Sequence, residues 1–389
     1  MAPSFCIPLI TLPSRAGDAI APDQLDLLRQ ACLDHGFFLL NNEDGHGGFH
    51  IAPEKIDRVW AAAADLFDAP MEAKRAVSVA SSTNNRGYFS SADHAEYNKD
   101  PSGLVIKDNK EGFFFGSDNL IAPGNRVPPG KAAAGAEVES YMEAGRAACV
   151  AVMRAIVAAG LLAEAGETCP DAFVARYLSD PVYMAKCLKY PPSNGNTDAH
   201  TDYGCITLLL PGDRGLEVHV GGAWHPVPFA PGAYVINFGD LLAAWSRGAV
   251  RSTIHRVLYN STATAGGGGA PKPRYSLPLF LHPNRGTVVR AGGGGGGAAA
   301  GAVGGFGAPA GDGSSDLLVD TYSYVLSRFD ATYKHRAAAA AAAAAAPAAV
   351  AAAAGGGVEG AAGARGTEAE AEAGGATATA IVGAAVDSA

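Results

Sequence analysis

The chain has no basic excess: 29 Lys and Arg stand against 38 Asp and Glu, a formal net charge of −9 at pH 7. Nucleic acid and anionic membrane surfaces need a basic face, so neither is an expected partner. No apolar run approaches the roughly 20 residues needed to span a bilayer. Cysteine is sparse and unpatterned. Cys6, Cys32, Cys149, Cys169, Cys187 and Cys205 include no Cys-x-x-Cys pair and sit in apolar, periodic segments. Buried free thiols in a reducing compartment are the expectation. The N-terminus, MAPSFCIPLITLPSR, lacks a basic n-region followed by a full apolar h-region, and lacks the Arg/Ser-rich character of a transit peptide. The expected location is the cytoplasm. No sustained heptad seam runs through the chain, so a monomer is expected.

Glycine and alanine are what the chain has in excess. The hydrophobic fraction of 48% is ordinary, but fifty glycines and long alanine tracts in 389 residues are not. Gly266–Gly269 and the stretch from Gly292 to Gly313 cannot bury enough surface to offset chain entropy. Both read as disordered loop expansions. The ten-alanine tract at 337–346 offers no amphipathic face, and with the tail to Ala389 it reads as a dispensable extension.

Between these tracts the patterning is that of a folded protein. Phe5 to Ile10 predicts an edge strand. Residues 22–34 predict a helix with Leu25, Leu28 and Cys32 on one face and Gly36 just past its end. FFLL at 37–40 predicts a buried strand. A second helix over 53–67 aligns Ile56, Val59, Trp60, Ala63 and Phe67. Residues 78–130 are irregular and polar. A loop of that length is often functional, and Arg86, Tyr88, Lys110 and Phe113 are candidates for the mouth of a pocket; a surface excursion is the equal alternative. A long helix follows over 131–159, ended by Gly160, then a shorter one near 170–178.

From Val182 the pattern changes to short strands, at 182–190, 205–210, 216–220, 223–229, 233–238, 252–259 and 274–281. Gly221-Gly222 marks a tight hairpin turn. The segment 316–329 returns to helical periodicity. Helices followed by a run of short strands predict an α+β fold with a sandwich-like or barrel-like core, and the turn spacing fits a jelly roll.

The chemistry-bearing residues lie among these strands. His200 and Asp202 are two positions apart in DAHTDYGCITLLL, and His255 follows 53 positions after Asp202. Two imidazoles and one carboxylate, with other positions left open, suit non-haem Fe(II). If His200 and Asp202 share a strand, alternation puts both on one face. A lone histidine in an apolar strand is usually just packed. The signal lies in the order: HTD, a distant histidine, then Arg274-Tyr275-Ser276. The Arg274 guanidinium and the Ser276 hydroxyl, two residues apart, suit the far carboxylate of a diacid. Tyr190, ahead of the metal loop, can assist. His46, His50, His219, His225 and His282 come without a carboxylate at ligand spacing.

These residues resemble the Fe(II)/2-oxoglutarate-dependent dioxygenase superfamily, in its isopenicillin-N-synthase-like branch. IPLITL, ACLDHGFFLL, LFDAPMEAKR, RGY and KEGFFFG are similar to the branch's N-terminal region. KYPP, AHTDYGCITLLL, the stretch from GLEVHV to STIHRV, and RYSLPLFLHPN are similar to its catalytic domain. YVLSRFDATYKHR resembles its C-terminal helix. The resemblance implies a double-stranded β-helix with His200, Asp202 and His255 as iron ligands. It implies that Arg274, Ser276 and Tyr190 bind 2-oxoglutarate, with O2 as the oxidant. The implied reaction oxidises, most commonly hydroxylates, a small organic molecule while 2-oxoglutarate is decarboxylated to succinate. Three departures stand out. Leu188 replaces a common Asn, which implies one cosubstrate contact fewer. NNEDGHGG replaces the usual histidine after DHGFF, and the glycine tracts have no family counterpart.

The implied organisation is an N-terminal region over 1–130, the long helix with the catalytic jelly roll over 131–285, an insertion over 286–315, a helix over 316–336 and a tail over 337–389. Rival readings are an iron oxidase of the same fold that does not use 2-oxoglutarate, and a vestigial metal-binding protein. A zinc hydrolase fits the ligands but leaves the Arg-x-Ser pair unexplained.

Overall fold

The computed structural model describes residues 5–13, 18–42, 50–93, 99–261, 271–291 and 317–332. The Gly266–Gly269 run, the 292–313 tract and the 337–389 tail lie outside the described residues.

The N-terminal part runs β1 (Leu9–Ile10), α1 (Pro22–Asp34), β2 (Phe37–Asn41), α2 (Pro53–Phe67), α3 (Met71–Ala76), β3 (Gly87–Ser90) and β4 (Glu111–Gly116). Then come α4 (Ala132–Ala158), α5 (Pro170–Tyr177), β5 (Pro181–Tyr190), β6 (Gly195–His200) and β7 (Ile206–Pro211). The strands continue with β8 (Leu216–Val220), β9 (Ala223–Pro226) and β10 (Ala233–Phe238), followed by α6 (Asp240–Trp245) and β11 (His255–Tyr259). The described chain closes with β12 (Arg274–Asn284), β13 (Val288–Ala291), β14 (Leu317–Asp320) and α7 (Thr321–Thr332).

Helices α1, α2 and α5 each begin with proline, whose fixed φ suits a first turn and whose missing N–H costs nothing there. The β8–β9 hairpin turns at Gly221 and Gly222, with φ of +60° and +83°. That pair of left-handed residues matches the twist of the flanking strands.

Twelve strands make two sheets. The large one has the order β1-β2-β10-β7-β12-β5-β4-β3 and the small one β6-β11-β8-β9. Helix α4 covers the outer face of the large sheet. It comes so close that a Cβ on Gly145 would lie 3.0 Å from Leu279 Cδ1. Ile206, Leu208, Leu277, Leu279, Leu281, Ala185, Cys187, Phe113 and Phe115 are all buried in this layer. Each such leucine or phenylalanine contributes about 1.5–3 kcal/mol. The inner face meets the small sheet, where the Phe37 ring on β2 sits edge-on to His255 on β11 at 5.6 Å. The result is the expected α+β jelly roll flanked by helices.

Four local expectations change. The helix expected over 316–336 begins only at Thr321, because Leu317–Asp320 pairs with β13 as strand β14. Residues 78–130 are not one long loop, because GYFS and EGFFFG form β3 and β4 and extend the large sheet through β5. Their aromatic side chains are buried on both faces, a packing that a polar segment average hides. GNTDAH forms β6, although its composition is not strand-like, because β11 supplies its ladder. The edge strand at the N-terminus shrinks to β1, paired parallel with β2. All six cysteines are free; Cys32, Cys149, Cys187 and Cys205 are buried, whereas Cys6 and Cys169 are exposed.

Candidate active site

His200 is the last residue of β6 and faces His255, the first residue of β11, across the small sheet. Their ring centroids are 4.4 Å apart. Asp202 is not on a strand with His200, as alternation would have it. It lies in the turn between β6 and β7, so the chain crosses from one sheet towards the other between the two residues. Asp202 Oδ1 is 3.9 Å from Nε2 of His200 and 3.9 Å from Nε2 of His255. The three ligand atoms form a cluster within 4.8 Å of one another.

The hydrogen bonds around the cluster aim those atoms. His200 Nδ1 is 2.8 Å from the Asp198 carbonyl, and His255 Nδ1 is 3.0 Å from the Thr253 carbonyl. A carbonyl only accepts, so each Nδ1 carries the proton and each Nε2 keeps a lone pair. Burial lowers the pKa of both imidazoles, and for His255 the neighbouring His200 adds to the effect. Both are therefore neutral donors at pH 7. Asp202 Oδ2 accepts from Thr207 Oγ1 at 2.5 Å and Asn237 Nδ2 at 2.7 Å, leaving Oδ1 towards the imidazoles. Burial alone would raise its pKa, yet the two imidazoles and these two hydrogen bonds hold it below the ordinary value. Two neutral nitrogens and one anionic oxygen, clustered within 4.8 Å of one another, fit a divalent iron.

Arg274 begins β12 opposite Tyr190, the last residue of β5. Its guanidinium lies 5.0 Å from the Tyr190 ring centroid, and Nε donates to the Arg214 carbonyl at 2.8 Å. Nη1 is buried and has no protein partner. An unsatisfied buried donor costs about 1–3 kcal/mol, so this cation is built to receive an acceptor. Ser276, also buried, is two residues along the same face. Leu188 stands directly opposite Ser276, so the position flagged in the sequence presents an apolar wall. The residues present therefore fit one carboxylate of a diacid.

Behind Tyr190 lies a polar chain of which the sequence singled out only Tyr190 and Lys110. Tyr190 Oη and Lys110 Nζ are each 2.9 Å from Thr197 Oγ1, and Lys110 Nζ is 2.5 Å from Asp108 Oδ2. Asp108 Oδ1 in turn accepts the Asp198 amide at 2.9 Å, which fixes the carbonyl that orients His200. Burial works against the charge on Lys110, but Asp108 raises its pKa above the ordinary lysine value. One ion pair thus braces both the Tyr190 and the His200 sides of the site.

Of the four residues offered for a pocket mouth, only Lys110 is here. Arg86 is fully buried and donates to the Gly116 and Ser117 carbonyls at 2.7 Å each. Tyr88 donates to Glu111 at 3.0 Å, and Phe113 packs in the core against Phe67. Thr207 and Asn237 were also missed; the available signal was a single polar residue inside ITLLL and inside AYVINF. His219 packs against Trp224, His225 stacks on Phe5, and His282 is buried within β12 rather than beyond it.

A two-sheet jelly roll with a His-Asp-His cluster beside a buried arginine defines a non-haem iron oxygenase of the 2-oxoglutarate type. Known proteins agree. The profile of the 2OG-Fe(II) oxygenase superfamily matches residues 169–283, and that of the non-haem dioxygenase in morphine synthesis N-terminal family matches residues 7–131. A 2-oxoglutarate-dependent dioxygenase, traH, of Penicillium crustosum is 33% identical over 276 residues, covering 66% of this chain and 77% of that protein. Homoarginine-6-hydroxylase 2-ODD-C23.1 of Arabidopsis thaliana is 28% identical over 292 residues, covering 71% and 82%. The fold is shared with a full-length Neurospora crassa protein crystallised with alpha-KG and thymine: TM-score 0.61, 24% identity, 83% of this chain and 96% of that one. This chain belongs to the 2OG-Fe(II) oxygenase superfamily. It is a 2-oxoglutarate-dependent dioxygenase, an enzyme that uses Fe(II), 2-oxoglutarate and O2 to oxidise a substrate.

Proposed function

We propose that His200 and His255, through Nε2, and Asp202, through Oδ1, hold the iron, and that Arg274, Ser276 and Tyr190 hold the distal carboxylate of 2-oxoglutarate. The reaction is hydroxylation of a small organic metabolite. The observations that carry this reading are the His200–Asp202–His255 cluster and the orphaned Nη1 of Arg274. Bound Fe(II), with 2-oxoglutarate and O2, supplies the oxidising power and leaves succinate and CO2 as by-products.

The chain's own residues supply position and field. The two Nδ1–H donors lock the imidazoles so that both lone pairs converge. Thr207 and Asn237 hold Oδ2 of Asp202, which would leave Oδ1 as the oxygen offered to the metal. Arg274 meets the distal carboxylate in a water-poor setting, where a charge-assisted bond is strong. The Ser276 and Tyr190 hydroxyls add hydrogen bonds, and Thr197 sets the direction of the Tyr190 hydroxyl.

The enzyme works as a cytoplasmic monomer on a free small molecule, not on nucleic acid. The acidic net charge of −9 supports this reading. Among the described residues no helix is long and apolar enough to cross a membrane. Residues 1–130 serve as the N-terminal region and 131–285 as the catalytic part. The test is an anaerobic titration of Fe(II)-loaded protein with 2-oxoglutarate. A visible charge-transfer band of the iron chelate is expected, and it should vanish in His255→Ala. An enzyme that turns over substrate with 2-oxoglutarate omitted would be the rival iron oxidase.

A further inference from the structure

Residues 239–241, where β10 hands over to α6, lie against the turn that carries Asp202. Three backbone N–H groups donate to that turn: Gly239 to the Cys205 carbonyl at 3.2 Å, Asp240 to the Asp202 carbonyl at 2.8 Å and Leu241 to the Tyr203 carbonyl at 3.2 Å. Glycine at 239 permits this approach. A Cβ there would lie 2.4 Å from the Gly204 carbonyl oxygen and 2.7 Å from that of Asp202.

The side chain of Asp240 reaches further. It is buried and spends each oxygen on a different segment. Oδ2 accepts from Thr201 Oγ1 at 3.0 Å, and Oδ1 accepts from Ser252 Oγ at 2.7 Å. Thr201 stands between His200 and Asp202. Ser252 precedes Thr253, whose carbonyl aims Nδ1 of His255. The main chain and side chain of one residue thus grip the end of β6, the β6–β7 turn and the lead-in to β11.

A carboxylate is a costly group to place in an interior. Burial pushes the Asp240 carboxyl up to about 6, whereas the Ser252 and Thr201 hydroxyls favour its charged form. In return, a hydroxyl bonded to an anion is held more tightly than one bonded to a neutral acceptor. Both hydroxyls belong to residues next to a ligand or next to the group that orients one. The stiffness of these bonds therefore falls on the spacing of the ligand atoms.

Resting on the reading of His200, Asp202 and His255 as iron ligands, we propose that Asp240 is a positioning residue of the metal centre. Its one carboxylate and one amide set the relative placement of all three ligand-bearing segments.

The experiment measures the Fe(II) affinity of the whole apo protein anaerobically, by competition with a chromophoric chelator, beside its thermal midpoint without metal. Thr201→Val and Ser252→Ala each remove one hydroxyl and leave every ligand in place. Each should weaken Fe(II) binding about 10-fold or more. Asp240→Ala should weaken it at least as much. Asp240→Asn, whose amide can still bond both hydroxyls, should restore most of that loss. A residue that only supports the fold would lower the apo midpoint and leave the Fe(II) affinity of the folded protein as it was. That result in the two hydroxyl variants overturns the proposal, even where Asp240→Ala fails to fold. Wild-type Fe(II) affinity in His255→Ala would instead overturn the ligand assignment itself.

Discussion

Asn237 and Thr207 face each other across the β10–β7 ladder and donate to the same oxygen of Asp202, at 2.7 and 2.5 Å. Neither touches the place where metal would sit. Together they decide which oxygen of the carboxylate turns towards it.

Loss of this pair should therefore loosen the metal without removing a ligand. Thr207→Val and Asn237→Leu are each expected to weaken Fe(II) affinity by roughly 10- to 100-fold. Equilibrium dialysis against a competing chelator measures this. Unchanged affinity in both variants would mean that Asp202 needs no second anchor.

Arg274 should be intolerant even of lysine, because its Nε is committed to the Arg214 carbonyl while Nη1 waits for a ligand. Arg274→Lys and Arg274→Ala are expected to raise the 2-oxoglutarate concentration for half-maximal succinate release on the order of 10- to 100-fold. The substrate KM should move far less. A change confined to substrate KM would reassign this arginine.

Removing Lys110 strands Asp108 as a buried charge, since the pair's side chains are 7% and 0% exposed. Lys110→Met should cost about 3–5 kcal/mol in denaturant unfolding. Adding Asp108→Asn, which keeps the Oδ1 acceptor for the Asp198 amide, should recover much of it. A double-mutant cycle tests the coupling, and additive losses would contradict it.

The metal-free protein should lose stability on mild acidification. Burial pushes His282 down to about 4 from an ordinary 6.5, and its ring nitrogens have no partners. A base whose folded pKa is depressed takes up protons on unfolding. Its contribution is thus fully present above about 6.5 and is lost as pH falls towards 4. Thermal midpoints of the apo protein should drop across that window, and His282→Leu should flatten the slope. An identical slope in the variant would place the titrating group elsewhere.

Much of the site was legible because its residue types are chemically unusual in strands and occur in a telling order. HTD, a later histidine and Arg-x-Ser needed no coordinates to be suspected. Helices α2 and α4 were legible from periodicity. Other features were hidden for physical reasons. Asp202 sits in a turn, so pairing it with His200 by strand alternation gave the right neighbours through the wrong geometry. β6 is held by a partner strand 50-odd residues away, and local composition says nothing of that. Thr207 and Asn237 look like pattern breaks until the carboxylate they serve is brought beside them. Arg86 is a pocket-mouth candidate by its place in the irregular stretch 78–130, but it spends its N–H groups on backbone carbonyls in the interior.

The cluster's membership has a mechanical side. Both imidazoles belong to the small sheet, and the carboxylate is tethered to the large one through β7 and β10. An ion seated there is a rivet across the lips of the sandwich. Loading it should tighten the rim as well as arm the chemistry, adding about 2.7 kcal/mol of resistance to unfolding at a hundredfold excess over Kd. An enzyme starved of iron would then be slack as well as idle, and easier prey for proteases.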